Sequence, residues 1–335
     1  MVAAQLYSSY RDLPPAWDTL AGDDFYSTRS WLRHLAQLAL AEERHLMSSD
    51  GRLGAAGYWL PAPTGETRFL RPDSLLPGHP TDDVMPVLLI GGWRVYGSQL
   101  VGDHAAVDDF LAGVTERGMD LGARSIFMPY VALDASFADS LSRQGWTAHP
   151  AEPTAVLDVD FADFAGYLAA RSKKRRSQIR QELAAVEQAR VVLEFAPLTH
   201  DRVRGLAEHD ARAAQAHGMI KSIDLAERSL AGLANLDDGR SFIGTATADD
   251  RLVAFVVVVV HRNQVYVRQF VQVTELPGVP VYFSLTYYAV IELALRERAT
   301  IIHFGLKAEE PKVLRGCRLV EQQSFIKLLG ERRTE

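Results

Sequence analysis

The run Leu252–Val260 (LVAFVVVVV) is nine residues without a polar side chain. A membrane-spanning helix needs roughly twenty, so this run is read as a buried strand. Asp249-Asp250 and Arg262-Asn263 flank it, and each pair carries a hairpin-turn signal. Apolar stretches at Arg240–Ala246 and Gln264–Val273 lie on either side, which gives three consecutive strands. Val279-Pro280 then opens a helix through Arg296, with Leu285, Ala289, Ile291 and Leu295 on or near one face. Thr300–Phe304 is a strand ending at Gly305. A lysine-bearing loop and short helix (Leu306–Leu314), a break at Gly316 and a last strand (Ser324–Leu329) complete the chain.

The N-terminal half mixes shorter elements. Ser27–Ser30 caps a helix carrying Trp31, Leu32, Leu35 and Leu38. Strands are expected at Gly54–Leu60, Thr67–Leu70, Val87–Ile90 and Ser125–Val131, and helices at Val107–Met119 and Phe137–Arg143; Trp93–Leu100 is a strand or a Gly-rich loop. His149-Pro150-Ala151-Glu152-Pro153 is a Pro-rich break, taken as a linker. Past it come a strand (Ala155–Val159), a short helix (Phe161–Leu168), a long helix to about Gln188, a strand at Val191–Phe195, and helices at Thr199–Ala216 and Leu225–Leu233. A chain of 335 residues is long enough for two domains, expected at 1–150 and 151–335. Both Ser142–Trp146 and Leu314–Arg318 place a glycine between a helix and a final strand, which hints at two similar units.

Apolar residues make up 47% and charged residues 23%, a balance that excludes a disordered or collagen-like chain. One cysteine, Cys317, excludes a disulfide framework and any zinc site built on Cys pairs. It is read as a small buried residue. The opening MVAAQLYSSYRDLPP has neither a basic nor an apolar leader region, so a cytoplasmic protein without a membrane span is expected. No P-loop, GxSxG, HExxH or GxGxxG motif occurs, and the ten histidines are scattered, so no metal is expected.

The net charge is −6, yet Arg171, Lys173, Lys174, Arg175, Arg176 and Arg180 crowd into ten residues without an acid. Cations at a helix start oppose the helix dipole. RNA phosphates or a nucleotide diphosphate would compensate them. So would Glu182, Glu187 and the chain's surplus acids.

Three segments carry a family resemblance. Phe25–Leu32 (FYSTRSWL), Ser172–Arg180 (SKKRRSQIR) and Phe304–Gly316 (FGLKAEEPKVLRG) resemble, in this order, motifs of Fem-like and BioF2-like members of the GNAT acyltransferase superfamily. The resemblance implies an α/β (α+β) chain of two tandem GNAT-like units with mixed, mostly antiparallel sheets. The N-terminal unit would be degenerate and the C-terminal one catalytic. It also implies an N-acyltransferase in which two splayed central strands hold the donor ester, with Leu252–His261 and Gln264–Val273 as that pair. Many acetyl-CoA enzymes of the superfamily place a glycine-rich pyrophosphate loop next. Here Glu275–Tyr282 (ELPGVPVY) has one glycine, and Pro280 has no amide N–H. Together with the basic helix, this favours aminoacyl-tRNA as co-substrate over acyl-CoA, with no bound cofactor and a small-molecule or cell-wall-precursor amine as acceptor. A non-catalytic recognition protein of the same fold is the other class in play.

By the resemblance, Lys312 matches a lysine assigned to stabilising the tetrahedral oxyanion. Lys307 is the alternative, and a surface lysine paired with Glu309 or Glu310 is the plain reading. A loop lysine after a strand end is expected to be exposed. His303 could deprotonate the attacking amine or be a satisfied sheet histidine. Tyr282 could relay a proton or be a core aromatic. Strict alternation puts Tyr266, Arg268, Phe270 and Gln272 on one face of their strand. That makes Arg268, Phe270 and Gln272 candidates for the substrate, with an outer-face arginine as the plain reading. Arg315 could hold a phosphate or carboxylate with its fork, or be a helix C-terminal charge. Lys173, Lys174, Arg175, Arg176 and Arg180 are the candidates for the donor tRNA.

Overall fold

The computed structural model describes residues 4–67, 71–237 and 240–330. The expected strand at Thr67–Leu70 lies, from residue 68 on, outside the described residues. Contacts divide the chain into two compact units, one of residues 1–153 with 320–335, the other of 154–319. The expected linker at 149–153 is therefore not a loop. It runs inside an extended strand, because the fixed φ of proline suits extended backbone, and the division falls at Pro153/Thr154. The last strand, from Val320 on, groups with the first unit and not with residues 154–319.

The first unit holds strands β1 (Ala4–Tyr7), β2 (Glu42–Glu43), β3 (His45–Ser48), β4 (Leu53–Ala55), β5 (Gly57–Leu60), β6 (Val87–Ile90), β7 (Val101–Gly102) and β8 (Ser125–Ala132), and the start of β9 (Thr147–Asp158). Its helices are α1 (Ala16–Ala21), α2 (Arg29–Leu38), α3 (Pro72–Leu75), α4 (Thr81–Val84), α5 (Val107–Asp120) and α6 (Ala138–Arg143). Thr28 caps α2 by accepting from Trp31 N, as the sequence signal requires. The expected strand Gly54–Leu60 is two strands interrupted at Ala56, and Trp93–Leu100 is a loop. One sheet has the order β1-β3-β4-β7. In the other, β5 pairs antiparallel with β2 and β6, and β6 pairs parallel with β8 through the crossover that carries α5. Phe110, Leu111 and Val114 of α5 pack on Ile126 and Met128 of β8 in its core.

The second unit repeats that plan at larger scale. It continues with α7 (Phe164–Ala169), α8 (Lys173–Gln188), β10 (Val192–Pro197), α9 (His200–Ala216), α10 (Ile223–Ala234), β11 (Arg240–Ala248), β12 (Arg251–His261) and β13 (Gln264–Gln272). A composite helix follows: α11 (Val281–Phe283), a π-helical turn (Ser284–Tyr288) and α12 (Ala289–Arg296). Then come β14 (Ile301–Gly305) and α13 (Glu309–Val313), and β15 (Arg318–Leu328), which from Val320 on belongs to the first unit. Strands β10 to β13 are an antiparallel meander, β14 joins β13 in parallel, and the end of β9 pairs antiparallel with β14. The turn between β11 and β12 is Asp249-Asp250, both with positive φ, the geometry that a two-residue hairpin demands. Ala254, Val256, Val258 and Val260 of β12 turn one face into a core with Leu285, Val290, Ile291 and Ala294 of the composite helix. Gly145 and Gly316, both with positive φ, lie in the turns that join α6 to β9 and α13 to β15.

Candidate active site

Strand β13 pairs with β14 over three residues only, Gln264–Tyr266 against Ile301–His303. Beyond them the strands part, and no strand among the described residues pairs with that edge of Val267–Gln272. The wedge therefore lies between β13 and β14. The pair expected from sequence, β12 and β13, is instead hydrogen-bonded along its whole length. A two-residue turn holds those strands together from the start, whereas a parallel neighbour arrives through a crossover and can diverge.

Both wedge strands are bulged where they separate. On β13, Gln269 faces Val257 and Val267 faces Val258, which leaves Arg268 as the extra residue. On β14, His303 faces Val156 and Gly305 faces Ala155, which leaves Phe304 extra. A bulge re-aims every side chain after it. The alternation read from sequence therefore fails at Arg268. Phe270 packs on the core that holds Val265 and Val267, whereas Tyr266 opposes Val259, outside that core. Tyr266, Arg268, Phe270 and Gln272 do not share a face.

Aromatic rings span the gap. Phe270 of β13 meets Tyr282 edge-on at 4.9 Å, and the Tyr282 hydroxyl lies 3.4 Å from that of Tyr287. Tyr287 in turn stacks on Phe304 of β14 at 4.8 Å. Burial, and then the neighbouring Tyr282, pushes the Tyr287 hydroxyl far up, so it is protonated at neutral pH. Tyr287 sits in the π-helical turn, a feature frequent at functional sites.

The far wall is the loop Gly305–Ala308, where Gly305, Lys307 and Ala308 all have positive φ. For the two non-glycine residues this backbone is costly. Lys312 holds it: its Nζ donates to the carbonyls of Gly305 and Leu306, both at 2.8 Å. Lys312 is only 4% exposed, which corrects the expectation of an exposed loop lysine. Carbonyl acceptors inside the strained loop draw the ammonium in. Lys307 is exposed.

Arg315 is also buried, and its fork is filled from within the protein. Nη2 bonds both carboxylate oxygens of Glu182 on α8 at 3.0 and 3.2 Å, Nε donates to the Tyr288 hydroxyl, and Nη1 donates to Pro311 O. The guanidinium also lies 3.5 Å over the Phe283 ring. Tyr288 donates to the same Glu182. Arg315 is thus neither a substrate fork nor a plain helix-end charge. It ties α8, the π-turn and α13 together. In the sequence Glu182 stands out only as general charge compensation, and neither Tyr287 nor Tyr288 is marked by a motif. The consecutive Tyr287-Tyr288 in an apolar helix was the available signal.

His303 is a sheet histidine. It stacks on Tyr266 at 4.4 Å and its Nε2 is 2.7 Å from Gln264 Oε1. Burial above all, with Arg318 adding, lowers its pKa to about 4, too low for a base that works on an amine near pH 7. Gln272 spends its amide on the carbonyls of Val253 and Thr274. Arg268 is half-buried. Burial raises the Cys317 thiol to about 12, so it is no nucleophile.

The basic block begins α8, where Ser172 caps the helix by accepting from Arg175 N. Lys173, Lys174 and Arg180 are exposed, while Arg175 donates to Gln178 and Arg176 to the Arg171 carbonyl. No group of three or more metal-ligating side chains occurs among the described residues, and no helix among them is long and apolar enough to cross a membrane.

Residues 84–333 match the family model FemAB-like, described as peptidoglycan biosynthesis/recognition. No curated protein sequence matches the chain significantly. Among solved structures it is similar to FemX, at 12% identity and TM-score 0.61 over 89% of this chain and 91% of that one. It is similar to L-PGS from Bacillus licheniformis at 11% identity and TM-score 0.59, covering 93% and 91%. It is also similar to a tandem GNAT protein from the clavulanic acid biosynthesis pathway at 13% identity and TM-score 0.52, covering 98% of each chain. At such identities the likeness is one of fold. With three quarters of its length matched by the family model and the parallel-wedge plan present in its second unit, this chain belongs to the FemAB-like family and has the mixed α/β fold of tandem GNAT proteins.

Proposed function

We propose that the chain is an N-acyltransferase that forms an amide bond in the wedge between β13 and β14, taking an aminoacyl group from a charged tRNA to the amine of a small-molecule or cell-wall-precursor acceptor. The observation that carries the reading is the wedge itself. Strand β14 pairs with β13 only as far as Tyr266, aromatic rings from Phe270 to Phe304 back the gap beyond, and a strained loop held by Lys312 closes its far side. Amine attack on an ester carbonyl develops negative charge on oxygen. Backbone N–H groups held by the splayed strands and the rigid loop are fixed donors for that charge. Lys312 supports this chemistry by fixing the Gly305–Leu306 backbone.

The preference for tRNA over acyl-CoA draws on the segment before the composite helix. Val279 N donates to Leu276 O, Val281 N donates to Val279 O, and Pro280 has no N–H. Amides turned onto their own loop are poor ligands for a pyrophosphate. The exposed cations at the start of α8 suit a polyanionic donor.

The test is a donor screen. The protein is incubated with charged tRNAs or acyl-CoAs and a panel of amines, and product masses are measured. An aminoacyl increment on an amine with charged tRNA alone is the expected result. Transfer from acyl-CoA alone would overturn the donor assignment, and no transfer from either would leave a recognition protein.

A further inference from the structure

Arg171 stands just before the cap of α8, and its guanidinium lies where a side chain of Gly316 would be. A Cβ built on Gly316 would come 1.4 Å from Nη1 and 2.3 Å from Cζ of Arg171. The glycine thus forms a cradle for the fork. The Tyr167 ring covers it, with Cζ 5.2 Å from the ring centroid, and Tyr167 is itself fixed by donating to the Arg315 carbonyl at 3.0 Å. Nevertheless, no acceptor among the described residues takes a hydrogen bond from this guanidinium, and its Nε is buried without a partner. A guanidinium offers five N–H donors and does not lose its charge, and a buried donor left unpaired is costly.

The surroundings sharpen the point. Lys312, Arg171 and Arg315 all act electrostatically on Cys317. Glu182, the carboxylate bonded to Arg315, is spent on that residue and Tyr288. Asp158, which also faces Cys317, holds Arg318 with both oxygens at 2.9 and 3.3 Å. Lys312 is spent on backbone carbonyls. Arg171 is the cation of this group whose bonds are unmade, and Lys173 and Lys174 stand exposed two and three residues away.

We propose that Arg171, seated on Gly316, is a phosphate-binding fork. A guanidinium takes two phosphate oxygens side by side, and the bare Cα of Gly316 leaves room for it close against the chain. Two sources share that chemistry: a phosphodiester at the 3′ end of a tRNA, or the pyrophosphate of an acyl-CoA. Assigning the phosphate to the donor rests on the acyl-transfer reading above; the fork itself does not.

Binding is measured by calorimetry with three probes, the trinucleotide CCA, coenzyme A and inorganic pyrophosphate. The proteins are the wild type, Arg171→Gln and Arg171→Lys. Arg171→Lys keeps the charge and the stem against Tyr167 and removes the fork, so it answers the question should Arg171→Gln fail to fold. The expected result is CCA binding that weakens at least tenfold in Arg171→Gln and several-fold in Arg171→Lys. Its log–log salt slope should fall by about 0.7, one single-strand contact, in Arg171→Gln. Binding of coenzyme A or pyrophosphate but not CCA, with the same dependence on Arg171, would uphold the fork and remove the tRNA reading. Folded variants that bind every probe as the wild type does, or a wild type that binds none, would overturn the fork.

Discussion

Replacing Lys312 by methionine tests what the buried ammonium does. Methionine fills much the same volume and cannot donate. Two carbonyls, Gly305 O and Leu306 O, then lose donors that sit at 2.8 Å. Hydrogen bonds to charged groups are worth roughly 1.5–3 kcal/mol each. Part of that is returned because methionine avoids the cost of burying an ammonium. A net loss of about 2–3 kcal/mol remains. In a domain of this size each kcal/mol moves the melting temperature by about 2–4 °C, so Lys312→Met should melt about 4–12 °C lower. The left-handed backbone at Lys307 and Ala308 would relax at the same time, and transfer should slow together with the loss of stability. Lys307→Met, at an exposed position, is the control and should melt like the wild type. Calorimetry with a parallel turnover assay reads both effects. A Lys312→Met protein that melts within about 1 °C of the wild type would show that the two carbonyl bonds are not needed, and the account of the wedge wall would fail.

Glu182→Gln should cost about 3–5 kcal/mol, because it leaves the buried Arg315 without its carboxylate; a melt unchanged from the wild type would refute the tie between α8 and α13. His303 has a folded-state pKa of about 4, below the ordinary value of about 6.5. Between these values the unfolded chain binds more protons, so His303 contributes stability that is complete above about pH 6.5 and lost as pH falls toward 4. Proton NMR of the His303 ring should show a midpoint near 4, and a midpoint above 6 would contradict the desolvation of the ring stacked on Tyr266. Exchanging the exposed Lys173, Lys174 and Arg180 for glutamine should flatten the salt dependence of tRNA binding by about 2 log–log units without moving the melting temperature. An unchanged slope would take tRNA off this face.

The meander and the crossover after it were legible because β12 is apolar without interruption and its turns hold residues that tolerate positive φ. The wedge was misplaced by one strand, since sequence periodicity shows where strands run and not where a parallel pair stops bonding. The bulges at Arg268 and Phe304 leave no compositional mark, and one extra residue was enough to undo the face assigned to Phe270 and Gln272. Lys312 and Arg315 stood out by resemblance, but their burial did not. Both are drawn inward by partners six to 133 positions away in the chain, Leu306 and Glu182. A charged side chain in a polar segment looks like surface until its acceptor is known.

The most direct measurement of the central claim is a labelling map. A hydrolysis-resistant aminoacyl-adenosine amide carrying a photoreactive diazirine is irradiated on the protein, and the attachment sites are found by peptide mass spectrometry. The account predicts label on Val267–Gln272 of β13 and on Phe304–Leu306, competed away by unlabelled analogue. Label confined to residues 1–153, or spread over the surface without competition, would contradict it.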